Sequence, residues 1–122
     1  AFAWLKKSFE QGLADAEFPL AMMYQNGADG IEKNSAEALK SYQRLLEKGH
    51  VGAMIGLSKM YELGDGVDKN LLEAYKFGYI ALQNGAEFMK DKLAVLEKDM
   101  KSKQVKKAKK AAQKWIKQHT AK

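Results

Sequence analysis

The sequence contains no cysteine and only one proline, Pro19, among its 122 residues. Without cysteine the chain has no disulfide bond and no thiolate metal site. No apolar run approaches the roughly 18 residues of a membrane-spanning helix, and the opening residues lack the long apolar region of a signal peptide. Alternating stretches rich in Val, Ile and Thr, typical of strands, are also missing. The abundance of Ala, Leu, Lys, Glu and Met therefore predicts an all-α fold.

Acidic residues are absent from the last part of the chain. The net charge is +6, but residues 1–100 contain 12 basic and 15 acidic residues, whereas residues 101–122 contain nine lysines and no acid. The whole positive excess therefore lies in this C-terminal segment.

Motifs of known catalytic chemistry are missing too, including the phosphate loop, the nucleophile elbow and the zinc-protease motif. The segment 64–70 has the acidic and amide residues of a calcium loop, but Val67 and Lys69 interrupt the alternating oxygen ligands that such a loop needs. His50 and His119 have no second ligand at metal-binding spacing, so we expect a surface or capping role for each. We expect no catalytic residue, no metal site and no cofactor.

Two pairs of carboxylates could share a surface. These are Asp65 with Asp68 and Glu17 with Glu62. Nothing in their spacing marks a general acid and a general base, and we expect all four to be solvated.

What the sequence does contain is an internal repeat. Gly12, Gly49 and Gly85 are 37 and 36 residues apart. The register extends over further pairs: Ala16 with Ala53, Tyr24 with Tyr61, Gly27 with Gly64, Ala38 with Ala74, and Leu46 with Leu82. This register predicts a stacked array of helix pairs, because each pair alone cannot bury its apolar face.

The turn within each repeat has a recognisable chemistry. Gly27 and Gly64 follow the last periodic residue of a helix, where a left-handed backbone conformation favours glycine. Asn34 and Asn70 come just before the next apolar-periodic segment, so we expect their side chains to cap the following helix. Val67 and Ile31 are expected to fold back as apolar contacts.

Periodicity and caps together predict seven helices. Their expected ranges are 1–11, 15–26, 35–48, 51–63, 71–84, 87–98 and 102–118. Pro19 conflicts with the second range, because proline is accommodated only in the first turn of a helix. We therefore expect that helix to start late or with a distortion.

The repeat positions carry a family resemblance. They are Ala16, Leu20, Ala21, Tyr24, Gly27, Gly30, Ile31, Asn34, Ala38, Tyr42 and Gly49 in the first copy, and Ala53, Leu57, Ser58, Tyr61, Gly64, Gly66, Val67, Asn70, Ala74, Phe77 and Gly85 in the second. This pattern resembles the Sel1-like repeat, a longer relative of the tetratricopeptide repeat, over residues 1 to about 96. Ala21 and Ser58 depart from the glycine usual there, and the first turn has one extra residue. The resemblance implies an α-solenoid of antiparallel helix pairs.

The expected organisation is a single domain over residues 1–122. Its parts are a partial repeat (1–12), two full repeats (13–49 and 50–85), and a partial repeat followed by a C-terminal capping helix (86–122). Residues 1–12 align with the second helix of a repeat, and the apolar Phe2, Trp4, Leu5 and Phe9 would lack a cover on one side. We therefore expect self-association through this N-terminal end.

The capping helix has two unlike faces. Val105, Ala108, Ala112, Trp115 and Ile116 follow a three-and-four spacing that predicts one apolar stripe. The opposite face holds six lysines: Lys103, Lys106, Lys107, Lys110, Lys114 and Lys117. A solvated outer cap is the favoured interpretation, since solenoids need a polar end. Binding to an anionic surface is the alternative, and nucleic acid is disfavoured because the segment has no arginine and no aromatic platform off the stripe.

The resemblance implies a non-catalytic scaffold or adaptor that binds a protein or peptide on its concave helical surface, in bacteria often in the periplasm or at the cell envelope. Candidate contacts are non-motif positions of the first helices: Glu17, Met22, Gln25, Met54, Lys59 and Glu62. Exposed methionines would be adaptable contacts, although Met22 and Met54 could equally pack between repeats. An enzyme acting on cell-wall fragments is a further alternative, for which the sequence offers no nucleophile.

Overall fold

The computed structural model describes residues 17–27 and 32–120, together with Trp4 and Lys7. The described residues form six helices and no strand, which confirms the all-α fold. The helices are α1 (Glu17–Asn26), α2 (Ser35–Glu47), α3 (Val51–Leu63), α4 (Leu71–Gln83), α5 (Met89–Glu97) and α6 (Ser102–Thr120). None of these six is long and apolar enough to cross a bilayer.

Apart from the start of α1, which borders residues outside the described part, the boundaries of these helices agree with the predicted ranges to within two residues. Pro19 is the third residue of α1 as described; the residues just before Glu17 lie outside the described part, so the late or distorted start stays a prediction. The predicted helix 1–11 also lies outside it, apart from Trp4 and Lys7, which are both helical. Trp4 is exposed, and self-association through this end stays a prediction.

The second helix of each repeat begins at an asparagine cap, as predicted. Asn34 Oδ1 accepts a hydrogen bond from the backbone N–H of Glu37 at 3.2 Å, and Asn70 Oδ1 accepts one from that of Glu73 at 3.1 Å. Each bond satisfies one of the free N–H groups of a first helical turn. The two caps fix where α2 and α4 start.

The two intra-repeat turns are closed by the same backbone hydrogen bond. The N–H of Asn34 donates to the carbonyl of Tyr24 at 2.7 Å, and the N–H of Asn70 donates to the carbonyl of Tyr61 at 2.9 Å. The glycine after each first helix is left-handed, with φ of 73° at Gly27 and 69° at Gly64, as predicted. The turn therefore returns the chain beside the helix that precedes it.

The second turn packs directly on the start of α2. The Ser35 hydroxyl donates to Asp65 Oδ1, and Lys33 Nζ lies 3.1 Å from Asp65 Oδ2. A Cβ atom at Gly66, where φ is +78°, would lie 2.6 Å from the Ser35 Cβ. The expectation that Asp65 is simply solvated was wrong, because its carboxylate joins one repeat to the next.

The contact between α2 and α3 is built around Tyr42. Its ring is buried and lies where a side chain at Gly56 would be, since a Cβ there would come within 2.6 Å of the ring. The hydroxyl donates to Gln25 Oε1 at 2.6 Å. Burial raises the pKa of Tyr42 to about 12, so the hydroxyl keeps its proton and its role as a donor.

The contact between α3 and α4 uses small residues and one paired hydroxyl. Ser58 Oγ donates to the carbonyl of Ala74 at 2.7 Å, and both residues are buried. Tyr61 stacks on Phe77 with ring centroids 5.8 Å apart, and the predicted apolar contact Val67 packs on the same core. The serine that replaces the usual glycine is therefore accommodated because its hydroxyl finds a backbone acceptor.

The final helix α6 packs on α4, and its two faces are as predicted. Ala108 and Ala112 are completely buried, and Trp115 is half-buried beside them. The His119 ring lies 3.8 Å from the Trp115 ring, and its Nε2 lies 3.2 Å from Glu47 Oε2 at the end of α2. The helix thus covers α4 and extends back to α2.

Replacing Gly56 with alanine should lower the free energy of unfolding by about 2 kcal/mol, because the new methyl group would overlap the buried Tyr42 ring. Urea denaturation followed by far-UV circular dichroism measures the change. The control is Gly78→Ala, whose Cβ would approach the flexible ends of Leu93 and Met89 at 2.9 and 3.0 Å and the Ser58 hydroxyl at 3.3 Å. An equal or smaller effect at Gly56 would contradict this account of the α2–α3 contact.

Replacing Asp65 with asparagine should cost about 1 kcal/mol at neutral pH, because it removes the charge from a paired carboxylate. Burial raises the pKa of Asp65, but hydrogen bonds from Ser35 and Lys33 and the charges of Lys33 and Lys59 outweigh it, so the pKa is held below its usual value. The carboxylate therefore contributes stability above pH 4 or so that is lost as the pH falls through the folded-state pKa.

Denaturant titrations at neutral and acid pH test this pH dependence. The stability difference between wild type and Asp65→Asn should shrink on acidification, while the exposed Asp68→Asn should match wild type throughout. A pH-independent difference at Asp65 would show that the carboxylate charge plays no part in joining the turns.

Candidate partner-binding face

The first helices of successive repeats present one row of exposed side chains. Met22 in α1, Lys59 in α3 and Val95 in α5 are separated by 37 and 36 residues and so occupy the same repeat position. All three are exposed, Met22 at 43% and Val95 at 54%. Together they form what we call the exposed row. It includes two of the six predicted contacts, Met22 and Lys59.

A second repeat position on the same helices points inward. Glu17 in α1 and Met54 in α3 are 37 residues apart, and each is only 1% exposed. The prediction of Met54 as an exposed contact was wrong, because its side chain belongs to the core. The alternative, that Met54 packs between repeats, agrees with this burial. The two positions lie five residues before the exposed row, which places them on a different side of each helix.

Glu17 was expected on a solvated surface, and that expectation was also wrong. Its Oε2 atom accepts from Arg44 Nε at 2.7 Å, and the same guanidinium donates from Nη2 to Ser41 Oγ at 3.2 Å. A buried carboxylate requires such a partner because desolvation of an isolated charge is costly. Glu17 therefore holds α1 against α2 in the structure.

The two remaining predicted contacts also make internal bonds. Gln25 is buried and accepts from Tyr42. Glu62 is half-buried, and its Oε1 lies 2.8 Å from Lys92 Nζ, which connects α3 to α5. Of the six predicted contacts, Glu17, Gln25 and Met54 are thus buried, whereas Met22, Lys59 and in part Glu62 are accessible.

A groove of about 330 Å³ separates α3 from α5, and we call it the α3–α5 groove. Its lining is largely apolar and consists of Ile55, Ser58, Lys59, Phe88, Met89, Asp91, Lys92 and Val95. Phe88 and Val95 are 65% and 54% exposed, which is unusual for large apolar side chains that border one depression. Charges of both signs surround it, Lys59 and Lys92 against Asp91.

The apolar part of this groove was not predicted. A signal was nevertheless present in the sequence, because Val95 aligns with Lys59 and Met22 once the 36-residue step is applied to α5. Phe88 aligns with Gly52, so it is a large side chain where the preceding repeat has none. The motif positions of a repeat determine its fold, whereas the variable positions between them, such as Phe88 and Val95, form the groove.

A larger cleft of about 510 Å³ is lined by residues of α2, α3 and α4. Its lining includes Leu57, Tyr61 and Phe77, which are repeat-motif residues that belong to the core or pack against it. No group of three or more potential metal-ligating side chains occurs among the described residues. The α3–α5 groove is therefore the stronger candidate for binding a partner.

Comparison with solved structures identifies the fold. The structure matches a protective antigen of uropathogenic Escherichia coli strains that displays an SLR fold, with a TM-score of 0.84 and 25% identity over 98% of this chain and 26% of the antigen. It also matches a Sel1 repeat protein from Oxalobacter formigenes, with a TM-score of 0.63 and 32% identity over 76% of this chain and 38% of that one.

The chain is a Sel1-like repeat protein. No family model matches it, so the assignment rests on these structures and on the repeat positions described above. The turns and their asparagine caps are thus those of a Sel1-like repeat.

Two curated relatives match part of this Sel1-like repeat protein. A cytochrome c oxidase assembly factor 7A from Xenopus laevis is 37% identical over 67 residues, which are 55% of this chain. An exopolysaccharide production negative regulator from Rhizobium meliloti is 45% identical over 51 residues, which are 42% of this chain. The chain spans only 29% and 19% of the length of these two relatives.

Replacing Arg44 with alanine in this Sel1-like repeat protein should lower the free energy of unfolding by about 2 kcal/mol, because it leaves the buried Glu17 carboxylate without its guanidinium. The change is measured by thermal and urea denaturation. Lys40→Ala on the same helix removes an exposed i,i+3 pair with Glu37 and should cost a few tenths of a kcal/mol.

The double variant Glu17→Met/Arg44→Met removes both charges and should be less destabilised than Arg44→Ala. If Arg44→Ala were as stable as Lys40→Ala, Glu17 would not depend on this partner.

Proposed function

We propose that this protein is a non-catalytic scaffold whose first-helix face holds a segment of a protein partner in the α3–α5 groove. The observation that carries the proposal is the groove itself, where exposed Phe88 and Val95 border a depression with a largely apolar lining. Exposed apolar side chains that share one depression mark interaction sites more often than scattered ones do.

The dimensions and chemistry of the groove favour a peptide or helix over a small polar ligand. Its apolar lining offers contact area, while Lys59 and Asp91 at the edge can pair with polar groups of either sign. Recognition of an amphipathic helix uses this combination of an apolar strip and a polar rim. The exposed row continues the surface past the groove to Met22, an adaptable apolar contact.

Two buried tyrosines are not suited to general acid–base chemistry. Burial raises the pKa of Tyr42 and of Tyr75 to about 12, so both hydroxyls keep their protons at neutral pH. Both side chains are buried in the core. General acid–base chemistry instead needs a group poised near the working pH at an accessible site.

The relatives also favour a scaffold whose partner differs from protein to protein. One is named for cytochrome c oxidase assembly and the other for negative regulation of exopolysaccharide production. A shared repeat fold that serves such different processes must take its specificity from positions outside the motif. A bacterial periplasmic or envelope location remains part of this proposal and is supported by the family resemblance.

Selection from a displayed peptide library tests the proposal directly. Peptides enriched on the wild-type protein should bind Val95→Ser at least tenfold more weakly, because a central apolar contact is lost. Affinity is measured by fluorescence polarisation of the labelled peptides.

The matched control is Leu63→Ser. Leu63 is 62% exposed, similar to Val95, but lies at the end of α3 and does not line the groove. The Leu63→Ser variant should bind the peptides with an affinity within about twofold of wild type. Peptides that lose affinity equally with both variants, or with neither, would place the binding site elsewhere.

A further inference from the structure

We propose that α6 also docks the solenoid on an anionic lipid surface through its lysines. The residues concerned are Lys103, Lys106, Lys107, Lys110, Lys114 and Lys117, and we call them the basic face. All six are exposed in the structure. This surface is separate from the α3–α5 groove, so the inference does not depend on the proposed peptide binding.

The six lysines lie on one side of α6. At 3.6 residues per turn, their positions fall within an arc of about 100° around the helix axis. At 1.5 Å per residue, the stretch from Lys103 to Lys117 is about 21 Å long. A straight strip of charge on one side of a helix can contact a flat surface with all its members at once.

The basic face is rigidly held and not neutralised by the protein. Ala108 and Ala112 on the opposite side of α6 are completely buried against the rest of the molecule. The segment 101–122 contains no acidic residue, and among the described residues no carboxylate forms an ion pair with any of the six lysines. The positive potential is therefore available to an external anion.

The distribution of charge over the molecule would orient it. Residues 1–100 hold 12 basic and 15 acidic residues, whereas residues 101–122 hold nine lysines. An anionic surface would attract α6 and repel the rest of the chain. This protein would consequently approach such a surface with α6 first, leaving the first helices accessible to a protein partner.

Anionic lipid fits the basic face better than nucleic acid does. The strip has no arginine for bidentate phosphate or base contacts, and its Trp115 is half-buried with its ring stacked on His119, so no aromatic platform is free for bases. Lysine clusters of this size suffice for attraction to anionic headgroups. Because the apolar stripe of α6 packs on α4, docking would be electrostatic and without insertion.

Vesicle co-sedimentation tests the proposal with the whole chain. Vesicles of phosphatidylcholine are compared with vesicles that contain phosphatidylglycerol as well, at low salt and at about 0.3 M salt, where the Debye length is shorter. The protein should bind the anionic vesicles at low salt and dissociate from them at high salt. It should not bind the neutral vesicles at either salt concentration.

A fourfold variant identifies the face responsible. Lys106→Gln/Lys110→Gln/Lys114→Gln/Lys117→Gln removes four charges from the basic face. Since each lysine near an anionic membrane is worth about fivefold in partitioning, the variant should bind anionic vesicles at least a hundredfold more weakly. Circular dichroism should show an unchanged fold, because the four side chains are exposed.

The matched control removes the same number of charges elsewhere. Lys48→Gln/Lys69→Gln/Lys90→Gln/Lys98→Gln changes four exposed lysines outside the basic face and brings the molecule to the same net charge. It should retain vesicle binding to within a few-fold. Equal loss in both variants would show a general effect of net charge and overturn the assignment to α6.

Two further results would overturn the proposal. One is equal binding to neutral and anionic vesicles. The other is binding to a short DNA duplex at a lower phosphate concentration than to anionic vesicles, which would assign the basic face to nucleic acid.

Discussion

The backbone hydrogen bond from Asn70 to the carbonyl of Tyr61 is the constraint on which the arrangement of this molecule depends. It can form only if the chain reverses within the turn, which left-handed Gly64 permits at φ 69°. The same asparagine then caps α4 through its side chain. One short segment thus ends a helix, begins the next and sets how the two cross, and the bond from Asn34 to Tyr24 repeats this in the preceding copy.

Much of the fold could be predicted because its rules are local. Helix ranges, asparagine caps and left-handed glycines depend on neighbouring residues. Each of these signals also occurs twice in the sequence, once in each full repeat. The errors concern contacts between residues far apart in the chain. Glu17 looked solvated because it is charged, and only Arg44 at 27 residues' distance explains its burial. Met54 looked available because it lies outside the motif, although its alignment with Glu17 gives both the same inward position.

The exposed row and the α3–α5 groove were predicted only in part. Met22 and Lys59 were predicted from the first helices of the two full repeats, whereas Val95 and Phe88 were missed because no turn motif follows α5 and no contact was expected from the partial repeat. A repeat fold separates two kinds of information. Motif positions such as Tyr42 and Leu57 specify how helices pack, and the positions between them are free to vary with the partner. The basic face of α6 adds a second surface at one end of the stack.

We expect the closed turns to hold the exposed row as one rigid surface. Because the natural chain has no cysteine, spin labels can be attached at Met22→Cys and Val95→Cys without side reactions, and electron-spin dipolar spectroscopy then measures the distance between α1 and α5. A rigid surface should give one narrow distance distribution. This distribution should broaden when Gly64 is replaced by valine, since a β-branched residue is strained in the left-handed conformation. A broad or two-peaked distribution in the parent protein would contradict it.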